Sequence, residues 1–411
     1  MAERPGYPRA AMTTMTPQEQ LVYLTDGIDT LVPEGELLAR LEEGRPLRVK
    51  LGVDPTAPDV TLGWAVVFRL LRKFQECGHI AVLIVGDFTA QVGDPSGKTE
   101  TRRRLDVTEV GANVSGVLDT IKELLLPERL EIRPNSEWLG SMDMHDVLDL
   151  TSAFTVSRIM DRDDFSNRWE AHEPISLIEF MYPLLQASDS VAVEADIELG
   201  GSDQLFNNLV GRDLQERRGQ RGQMVMTVPL LVGIDGKKKM SQSLGNYISV
   251  KDDPAEMFGK TMSIPDEAMG EWFLLAAGLP AREVAEIVEG LAAGALHPGE
   301  TKRRLGREIV TIYHGTDAAR EAEEAFDRLF RQHDVPEDIA EHALPEEDPV
   351  RLPLLMNAAG LVSSNSEGRR MLSQGAVKLN GERVTTEELP ATDLAGGVLQ
   401  VGKRRFVRLV S

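Results

Sequence analysis

Apolar positions in the first hundred residues alternate between continuous runs and helical spacing. Residues 46–56 (PLRVKLGVDPT) predict a strand that ends in a proline-marked turn, and residues 62–78 have the spacing of an amphipathic helix. Residues 79–89 form a continuous Val, Ile and Leu run, which is typical of a strand buried on both faces. Strand, helix and strand in this order predict a βαβ unit and therefore a parallel sheet.

The pattern changes further along the chain. Residues 225–235 predict another apolar strand, and a turn-rich segment follows it. Beyond Pro254 the spacing becomes helical, and the acidic, proline-bearing residues 334–352 predict a linker. The last sixty residues alternate short apolar runs with LNGERV, a hairpin-like turn signal.

Composition limits the class of protein. A chain of 411 residues predicts two or three domains, and 42% hydrophobic with 27% charged residues is typical of a soluble globular protein. No apolar run approaches the length of a membrane span, so we expect no membrane association. The single cysteine, Cys77, excludes an intramolecular disulfide and favours a reducing cytoplasm.

Charge is unevenly distributed along the chain. The formal net charge of −21 argues against indiscriminate nucleic-acid binding. Residues 316–350 carry twelve acidic residues against three arginines, whereas residues 352–411 carry eight Lys or Arg against five acids. A small basic module behind an acidic connector can still bind a polyanion, although scattered surface charge explains the pattern equally well.

Two early turns are candidates for phosphate chemistry. In residues 52–64 (GVDPTAPDVTLGW) a strand turns into a helix, whose N-terminal N–H groups suit phosphate, but an ordinary βα turn has the same pattern. Residues 91–102 (QVGDPSGKTETR) are one residue too short for a Walker loop, which disfavours a P-loop NTPase. The segment could still be a binding turn that carries one carboxylate and two cations. The alternative interpretation is a charged loop that is simply exposed to solvent.

Two later stretches are candidates for a binding site. Tyr182, Gln186 and Asp189 are spaced to share one helix face, which predicts either a polar pocket or an ordinary solvated face. The basic loop 236–243 (GKKKMSQS) suits clamping of phosphates during transfer, although most such loops are surface turns.

In this order and spacing, these stretches together resemble class I aminoacyl-tRNA synthetases, and specifically the bacterial tyrosyl-tRNA synthetases. The resemblance runs from about residue 30 to the C-terminus, and its specific elements are GVDPT, GDPSGK, Y…Q..D, GGSDQ, a KMSKS-like loop and an S4-like terminal stretch. It implies that tyrosine attacks Mg²⁺-bound ATP to form an adenylate, which then acylates tRNA(Tyr). ATP with Mg²⁺ is then a substrate complex, and no tightly bound cofactor or separate metal site is expected.

The resemblance implies roles for matching positions. Asp94, Tyr182 and Gln186 would hold the tyrosine ammonium group, Asp189 would accept a hydrogen bond from the phenol, and Gln204 would line the substrate. The implied catalytic positions are Thr56, Thr61, Lys98, Arg102, Lys239 and Gln242. The implied ATP-binding positions are Gly52, Asp54, Gly63, Trp64, Gly201, Asp203, Lys239, Met240, Ser241 and Ser243. The candidate RNA-binding cations are Arg369, Arg370, Lys378, Arg383, Lys403, Arg404 and Arg405.

The sequence departs from the family pattern at three places, which involve four residues. The HIGH-like signature here is TLGW, so Thr61 and Trp64 replace both histidines. The KMSKS-like loop is KMSQS, so Gln242 replaces its second lysine, and Lys50 stands where one branch of the family has a tyrosine. Thr61 and Gln242 retain polar hydrogens that could meet a phosphate oxygen, and the Trp64 indole could stack on adenine or fill its place.

The sequence alone leaves two alternative functions open. One is a synthetase-like RNA-binding protein without activation chemistry, and the other is an amino-acid-activating paralogue with a different acceptor. A dinucleotide-binding dehydrogenase is disfavoured, because no G-x-G-x-x-G follows either early strand.

The predicted architecture is α/β, with a Rossmann-type parallel-sheet catalytic domain at 31–235 that contains an inserted helical segment. The KMSKS-like loop at 236–245 precedes a helical anticodon-binding domain at 246–335. An acidic linker at 336–351 leads to a small α+β S4-like RNA-binding domain at 352–411. The resemblance also implies a homodimer that forms through the inserted segment.

Overall fold

Two compact units make up the chain, residues 1–323 and residues 324–411. Within the described parts of both, no helix has the length and apolar character needed to cross a bilayer. The computed structural model describes residues 15–55, 59–93, 107–332, 340–345, 347–380, 382–402 and 405–410.

A six-stranded sheet forms the centre of the first unit. Its order is β1-β6-β5-β2-β3-β4, and every neighbouring pair is parallel except β1 with β6. The order reverses between β2 and β5, which makes that point the topological switch of the sheet. The strands are β1 (Thr30–Val32), β2 (Arg48–Val53), β3 (Ile80–Val85), β4 (Leu130–Pro134), β5 (Ile197–Gly201) and β6 (Met224–Val228).

The predicted βαβ unit is confirmed. Strand β2 is followed by a helix at Leu62–Glu76 and then by β3, which pairs with β2 in parallel register. Five of the six β3 residues are buried, as its continuous apolar run predicts. The apolar run at 225–235 is a strand only as far as Val228, because Pro229 has no backbone N–H to donate to a neighbouring strand.

Helices cover the sheet, and several begin at residues that cap their free N–H groups. The Thr16 hydroxyl accepts from the backbone N–H of Glu19, and the Asp143 carboxylate accepts from those of His145 and Asp146. These helices are α1 (Pro17–Thr25), α2 (Glu36–Glu42), α3 (Leu62–Glu76), α4 (Thr89–Val92), α5 (Val107–Leu124), α6 (Ser136–Leu139), α7 (Met144–Ser152), α8 (Val156–Ile159), α9 (Asp163–Glu170), α10 (Leu177–Ala192) and α11 (Leu205–Arg217).

Helices α6 to α9 lie between β4 and α10 in the chain and form the expected inserted helical segment. Its own core includes Phe165, which packs edge-on against Phe180 at 4.9 Å between ring centroids. The same core includes Leu184 and Leu185 of α10, so the inserted segment packs against the helix that carries the candidate tyrosine-binding face.

The remainder of the first unit is helical, as predicted for the region after Pro254. Asp253 caps the first of these helices, and Pro254 occupies its first turn, where a missing N–H costs nothing. The helices are α12 (Pro254–Met262), α13 (Met269–Leu275), α14 (Ala281–Ala292), α15 (Pro298–His314) and α16 (Thr316–Gln332), the last of which continues into the second unit.

The second unit is a small α+β module with its own apolar core. Its sheet has the order β10-β9-β12-β13-β7, and β8 pairs with β11 separately. Asn380 adopts a positive φ of 51° between β9 and β10, which agrees with the predicted hairpin. The elements are β7 (Glu341–Ala343), β8 (Val350–Arg351), α17 (Leu352–Ala358), α18 (Asn365–Ser373), β9 (Val377–Leu379), β10 (Glu382–Arg383), β11 (Glu388–Leu389), α19 (Ala391–Leu394), β12 (Val398–Val401) and β13 (Arg405–Val410).

Part of the predicted acidic linker belongs to this module. Strand β7 pairs in parallel with β13, with Glu341 opposite Arg408, and β8 pairs with β11. The expected linker at 336–351 therefore ends earlier than predicted, because a short edge strand tolerates acidic side chains that face solvent.

Candidate active site

A cavity of about 240 Å³ opens at the carboxyl ends of the parallel strands, beside the switch point between β2 and β5. Open α/β sheets bind ligands at this place, because the loops after adjacent strands diverge there. Residues from the ends of β2, β5 and β6, the start of α3, the face of α10 and the KMSQS loop line the cavity.

The floor of the cavity is organised around Asp54. One carboxylate oxygen accepts from the Tyr182 hydroxyl at 2.9 Å and the other from the Thr89 hydroxyl at 2.8 Å. Gly86 lies so close that a Cβ atom there would stand 1.9 Å from the carboxylate. Only glycine fits that position, so the backbone after β3 fixes the carboxylate in place.

One face of α10 forms a wall of the cavity. Tyr182, Gln186 and Asp189 are all buried and all line it, which is the grouping that their helical spacing predicts. The Gln186 amide nitrogen donates to Glu198 at 3.0 Å, and its oxygen accepts from Asn207 at 3.3 Å. Gln204 and Gly201 line the cavity from the β5 side.

Asp189 lies at the deep end of this wall and is paired with uncharged donors. The Trp138 indole nitrogen donates to it at 2.9 Å, and the Asn135 amide approaches at 3.4 Å. Burial raises the pKa of Asp189 to about 7, while the Lys50 charge and both hydrogen bonds act in the opposite direction.

Trp138 and Asn135 were not predicted from the sequence. Both follow the carboxyl end of β4, and such positions in a parallel sheet carry functional side chains. That signal was present in the stretch NSEWL, but it could be used only once residues 130–134 were known to form a strand.

The TLGW segment begins α3. The Thr61 hydroxyl accepts from the backbone N–H of Trp64 at 3.3 Å, so it caps the helix. Thr61 is buried and is absent from the described residues that line the cavity, whereas Gly63 and Trp64 line it. Sequence reasoning considered Thr61 only as a phosphate donor and missed this capping role.

The KMSQS loop faces the start of α3 across the cavity. Lys239 forms an ion pair with Asp203 at 2.5 Å, and Met240 is buried and lines the cavity. The Gln242 amide donates to the main-chain oxygen of Asp59, just before the TLGW segment. Ser241 and Ser243 share a hydrogen bond of 2.9 Å.

A buried side chain holds this loop together. The Asn246 amide oxygen accepts from the Ser241 N–H at 2.9 Å, and its nitrogen donates to Asp235 at 3.1 Å and to the Lys239 carbonyl at 3.2 Å. Residue 233 must be glycine, because a Cβ atom at Gly233 would lie 2.3 Å from the Asn246 amide nitrogen.

Several predicted site residues lie outside the described residues. Thr56, Asp94, Lys98 and Arg102 are among them, so the carboxylate predicted to bind the ammonium group and the two predicted phosphate-binding cations have no described geometry. Among the described residues, no group of three or more His, Cys, Asp or Glu side chains is arranged to hold a metal ion.

The candidate RNA-binding cations belong to the second unit. Arg369 pairs with Glu387 at 3.2 Å, and Arg405 pairs with Glu367 at 3.3 Å. Arg370 is exposed, and Arg383 lies opposite Lys378 across the β9–β10 hairpin. Lys403 and Arg404 lie outside the described residues.

A parallel sheet with a cavity at its switch point, bounded by a helix start and a lysine-bearing loop, defines the catalytic domain of a class I aminoacyl-tRNA synthetase. Family comparison agrees, since the profile of class I tRNA synthetases (W and Y) matches residues 42–331 and that of the S4 domain matches residues 350–390. The chain belongs to the tyrosine–tRNA ligases of this class, as its full-length relatives show.

Those relatives are similar over almost their whole length. The tyrosine–tRNA ligase of Moorella thermoacetica is 50% identical over 394 residues, which are 95% of this chain and 95% of the relative. That of Thermotoga maritima is 45% identical over 395 residues, which are 96% of this chain and 98% of the relative.

Solved structures share the fold. The tyrosyl-tRNA synthetase of Archaeoglobus fulgidus, crystallised with L-tyrosine, has a TM-score of 0.61 at 24% identity and covers 75% of this chain and 99% of its own. The truncated mitochondrial enzyme of Aspergillus nidulans has a TM-score of 0.60 at 23% identity and covers 77% of this chain and 94% of its own.

Proposed function

We propose that this chain joins L-tyrosine to tRNA(Tyr) in two steps, with Mg²⁺-bound ATP as the second substrate. The observation that carries this proposal is the cavity itself. It has a buried carboxylate, Asp189, at its deep end, and Lys239 at the loop on its other side. The phenol of an aromatic amino acid would match the buried carboxylate, and the phosphates of a nucleotide would match the lysine.

Tyrosine would lie along α10. Asp189, held by Trp138, accepts the phenol hydrogen bond, while Gln186 and Tyr182 face the amino-acid end. Asp94 adds the carboxylate for the ammonium group, as the family resemblance implies. Phenylalanine would leave this buried carboxylate without the hydrogen bond that the phenol donates, so the same group provides selectivity.

ATP would lie between the α3 start and the KMSQS loop. Gly52 and Gly63 leave room near the backbone beside Asp54, and the half-buried Trp64 indole offers a stacking face for adenine. Asp203 and Gly201 would meet the ribose. Phosphates would be contacted by Thr56, Lys98, Arg102 and Lys239, with Ser241, Gln242 and Ser243 of the same loop beside them. Met240 would line the nucleotide cavity, and Thr61 would act through its cap on the start of α3.

Catalysis needs no covalent enzyme intermediate. A carboxylate oxygen of tyrosine attacks the α-phosphorus of ATP, the bond to the bridging oxygen breaks, and pyrophosphate leaves with the electron pair. A ribose hydroxyl of the terminal adenosine then attacks the tyrosyl carbonyl, and AMP leaves. The chain contributes by positioning the reactants and stabilising the charge that develops on pyrophosphate.

The second unit would hold tRNA through cations of its C-terminal part. Arg369, Arg370, Lys378, Arg383 and Arg405 all lie in residues 352–411, which carry eight Lys or Arg against five acids. Such contacts to phosphates are salt-dependent and carry little sequence information. We include Lys403 and Arg404 among the proposed RNA-binding cations.

We also propose that the protein is a homodimer and works in the cytoplasm. Large apolar side chains of the inserted segment are exposed, and contiguous exposed apolar surface marks interaction sites. The single cysteine suits a reducing compartment. The exposed side chains are Met144, Leu148, Val156 and Trp169 of the inserted segment, and Leu177 at the start of α10 is also exposed.

Tyrosine-dependent ATP–pyrophosphate exchange tests the activation step. We expect exchange with tyrosine and none with phenylalanine, which would show that Thr61 and Trp64 are compatible with activity. Exchange that is absent in the wild type but gained in Trp64→His would instead mean that the indole blocks the nucleotide. Retained tRNA binding without exchange in either protein would favour the RNA-binding alternative.

The dimer has a separate test. Leu148→Glu together with Val156→Glu places two charges on the exposed apolar surface, and light scattering should then report a monomer at a concentration where the wild type is dimeric. An unchanged mass would mean that this surface is not the interface.

A further inference from the structure

A buried ion pair lies directly behind the amino-acid wall of the cavity. Lys50 on β2 and Glu198 on β5 are register partners in neighbouring parallel strands, and their charged atoms are 2.9 Å apart. Their side chains are 0% and 1% exposed. Strands of a parallel sheet covered on both faces normally carry Val, Ile or Leu at such positions.

Lys50 has a partner for each of its three ammonium hydrogens. Besides Glu198, its nitrogen donates to the Ser190 hydroxyl at 2.7 Å and to the Gln186 main-chain oxygen at 3.0 Å. Both are residues of α10. The lysine therefore ties the central sheet to the turn of α10 that includes Gln186, Asp189 and Ser190.

Glu198 holds the same turn through side chains. One carboxylate oxygen accepts from the Gln186 amide at 3.0 Å, and the other accepts from the Ser190 hydroxyl at 3.1 Å and from the Gln223 amide. Gln186 is thus fixed twice, by its main-chain oxygen to Lys50 and by its side chain to Glu198. The pair orients a residue that lines the cavity without lining the cavity itself.

The pair also sets the charge around the pocket. The Lys50 charge lowers the pKa of Asp189 and the Glu198 charge raises it, and the effect of Lys50 is the larger of the two. Removal of both charges would therefore raise the pKa of Asp189, and it would also loosen Gln186, whose side chain would keep its contact with Asn207.

Stability does not explain why the pair is present. Desolvating two charges costs free energy that their attraction often only offsets, and apolar replacements of similar volume are often neutral or stabilising. Buried polar pairs do, however, restrict side chains to one arrangement, which a binding pocket for one amino acid requires.

We propose that the Lys50–Glu198 pair is a positioning element for amino-acid recognition: it holds Gln186 and the Asp189 turn of α10, and so determines tyrosine affinity and discrimination against phenylalanine. This rests on the proposed function, in which Gln186 and Asp189 contact tyrosine. Lys50 and Glu198 act through those residues and touch no substrate themselves.

The test compares the wild type with the neutral double variant Lys50→Met, Glu198→Gln, which leaves no unpaired buried charge. We expect the tyrosine Kd from calorimetry, and the KM in pyrophosphate exchange, to rise about tenfold, the effect of misplacing one hydrogen bond to a charged group. The kcat at saturating tyrosine and the KM for ATP should change less than about twofold. The ratio of kcat/KM for tyrosine to that for phenylalanine should fall.

A matched control separates positioning from the general loss of an ion pair. Arg72 and Glu76 form a largely buried pair on α3 whose described contacts lie away from the cavity. Arg72→Met with Glu76→Gln makes the same chemical change and should leave tyrosine Kd and discrimination unchanged. Ser190→Ala is a milder change, in case the Lys50 double variant does not fold, and should raise tyrosine Kd by about threefold through the loss of the hydroxyl that bonds to both Lys50 and Glu198.

The outcomes are distinguishable. A folded Lys50→Met, Glu198→Gln variant with wild-type tyrosine Kd and discrimination would overturn the positioning role, as would an equal change in the Arg72 control. If that variant does not fold, an unchanged tyrosine Kd in Ser190→Ala would overturn it. A wild type that binds tyrosine but shows no exchange would overturn the proposed activation and leave the positioning role standing on the Kd values.

Discussion

The Trp138 indole nitrogen donates a hydrogen bond to Asp189 at 2.9 Å, and this bond partly offsets the burial that raises the carboxyl pKa to about 7. An acidic group with this pKa is protonated below neutral pH in the free enzyme and ionised above it. The ionised form is the stronger acceptor for a phenol hydroxyl. Lys50 and Glu198 are the charged groups that act on it from the sheet.

Tyrosine binding should therefore strengthen as pH rises through about 7, since a ligand that prefers the ionised form binds better where that form predominates. Calorimetric Kd values between about pH 6 and about pH 8 measure this. Trp138→Phe removes a donor to the charged form and should move the midpoint upward. Asp189→Asn should flatten the profile, and a flat wild-type profile would contradict the assignment.

Thr61 should matter for stability through its cap on α3. Thr61→Ala removes the acceptor for the Trp64 N–H, and we expect the free energy of unfolding to fall by about 1 kcal/mol. Thr61→Ser keeps the hydroxyl and is the matched control. Denaturant unfolding measures both variants, and equal stability of the alanine and serine variants would show that the cap contributes nothing.

Gln242 should act through Asp59 as well as through any phosphate. Gln242→Ala breaks the hydrogen bond that joins the KMSQS loop to the segment before α3, and a lost neutral hydrogen bond weakens ATP binding about fivefold. The KM for ATP in pyrophosphate exchange should rise by that factor while the KM for tyrosine stays unchanged. Leu244→Ala, at an exposed position of the same loop, is the control. Identical kinetics of the two variants would mean that the contact has no role.

The hairpin cations should affect charging and not activation. Lys378→Ala with Arg383→Ala removes two charges that face each other across β9 and β10. Nitrocellulose-filter binding of tRNA should then show a log–log salt slope reduced by about 1 to 2, because fewer counterions are released. Pyrophosphate exchange without tRNA should stay at the wild-type rate. An unchanged salt slope would place the RNA contact elsewhere on the module.

Local signals predicted much of this molecule. The continuous apolar run predicted β3, and helical spacing placed Tyr182, Gln186 and Asp189 on one wall. Both depend on residues close together in the chain, where backbone periodicity decides which side chains share a face.

Contacts between distant segments could not be predicted in this way. The Lys50–Glu198 pair exists because β5 lies beside β2. The order of strands in a sheet cannot be derived from the spacing of apolar residues within either strand. Likewise, β7 joins the sheet of the second unit through pairing with β13, which overrides the acidic, linker-like composition of its neighbourhood. Thr61 was considered as a phosphate donor because the family pattern places histidine there, whereas its local role as a cap follows from the geometry of one helix end.

The buried Asn246 amide, which holds the KMSQS loop in one conformation, affects the energetics of nucleotide binding. Fixing a mobile loop costs conformational entropy, which is normally subtracted from the affinity for the ligand that orders it. Here one buried amide bonds to Asp235, Lys239 and Ser241, so most of that ordering occurs when the protein folds. In the proposed function, in which Lys239 contacts the phosphates, ATP would then bind a loop that is already ordered, and Asn246 would contribute to its affinity without touching a phosphate.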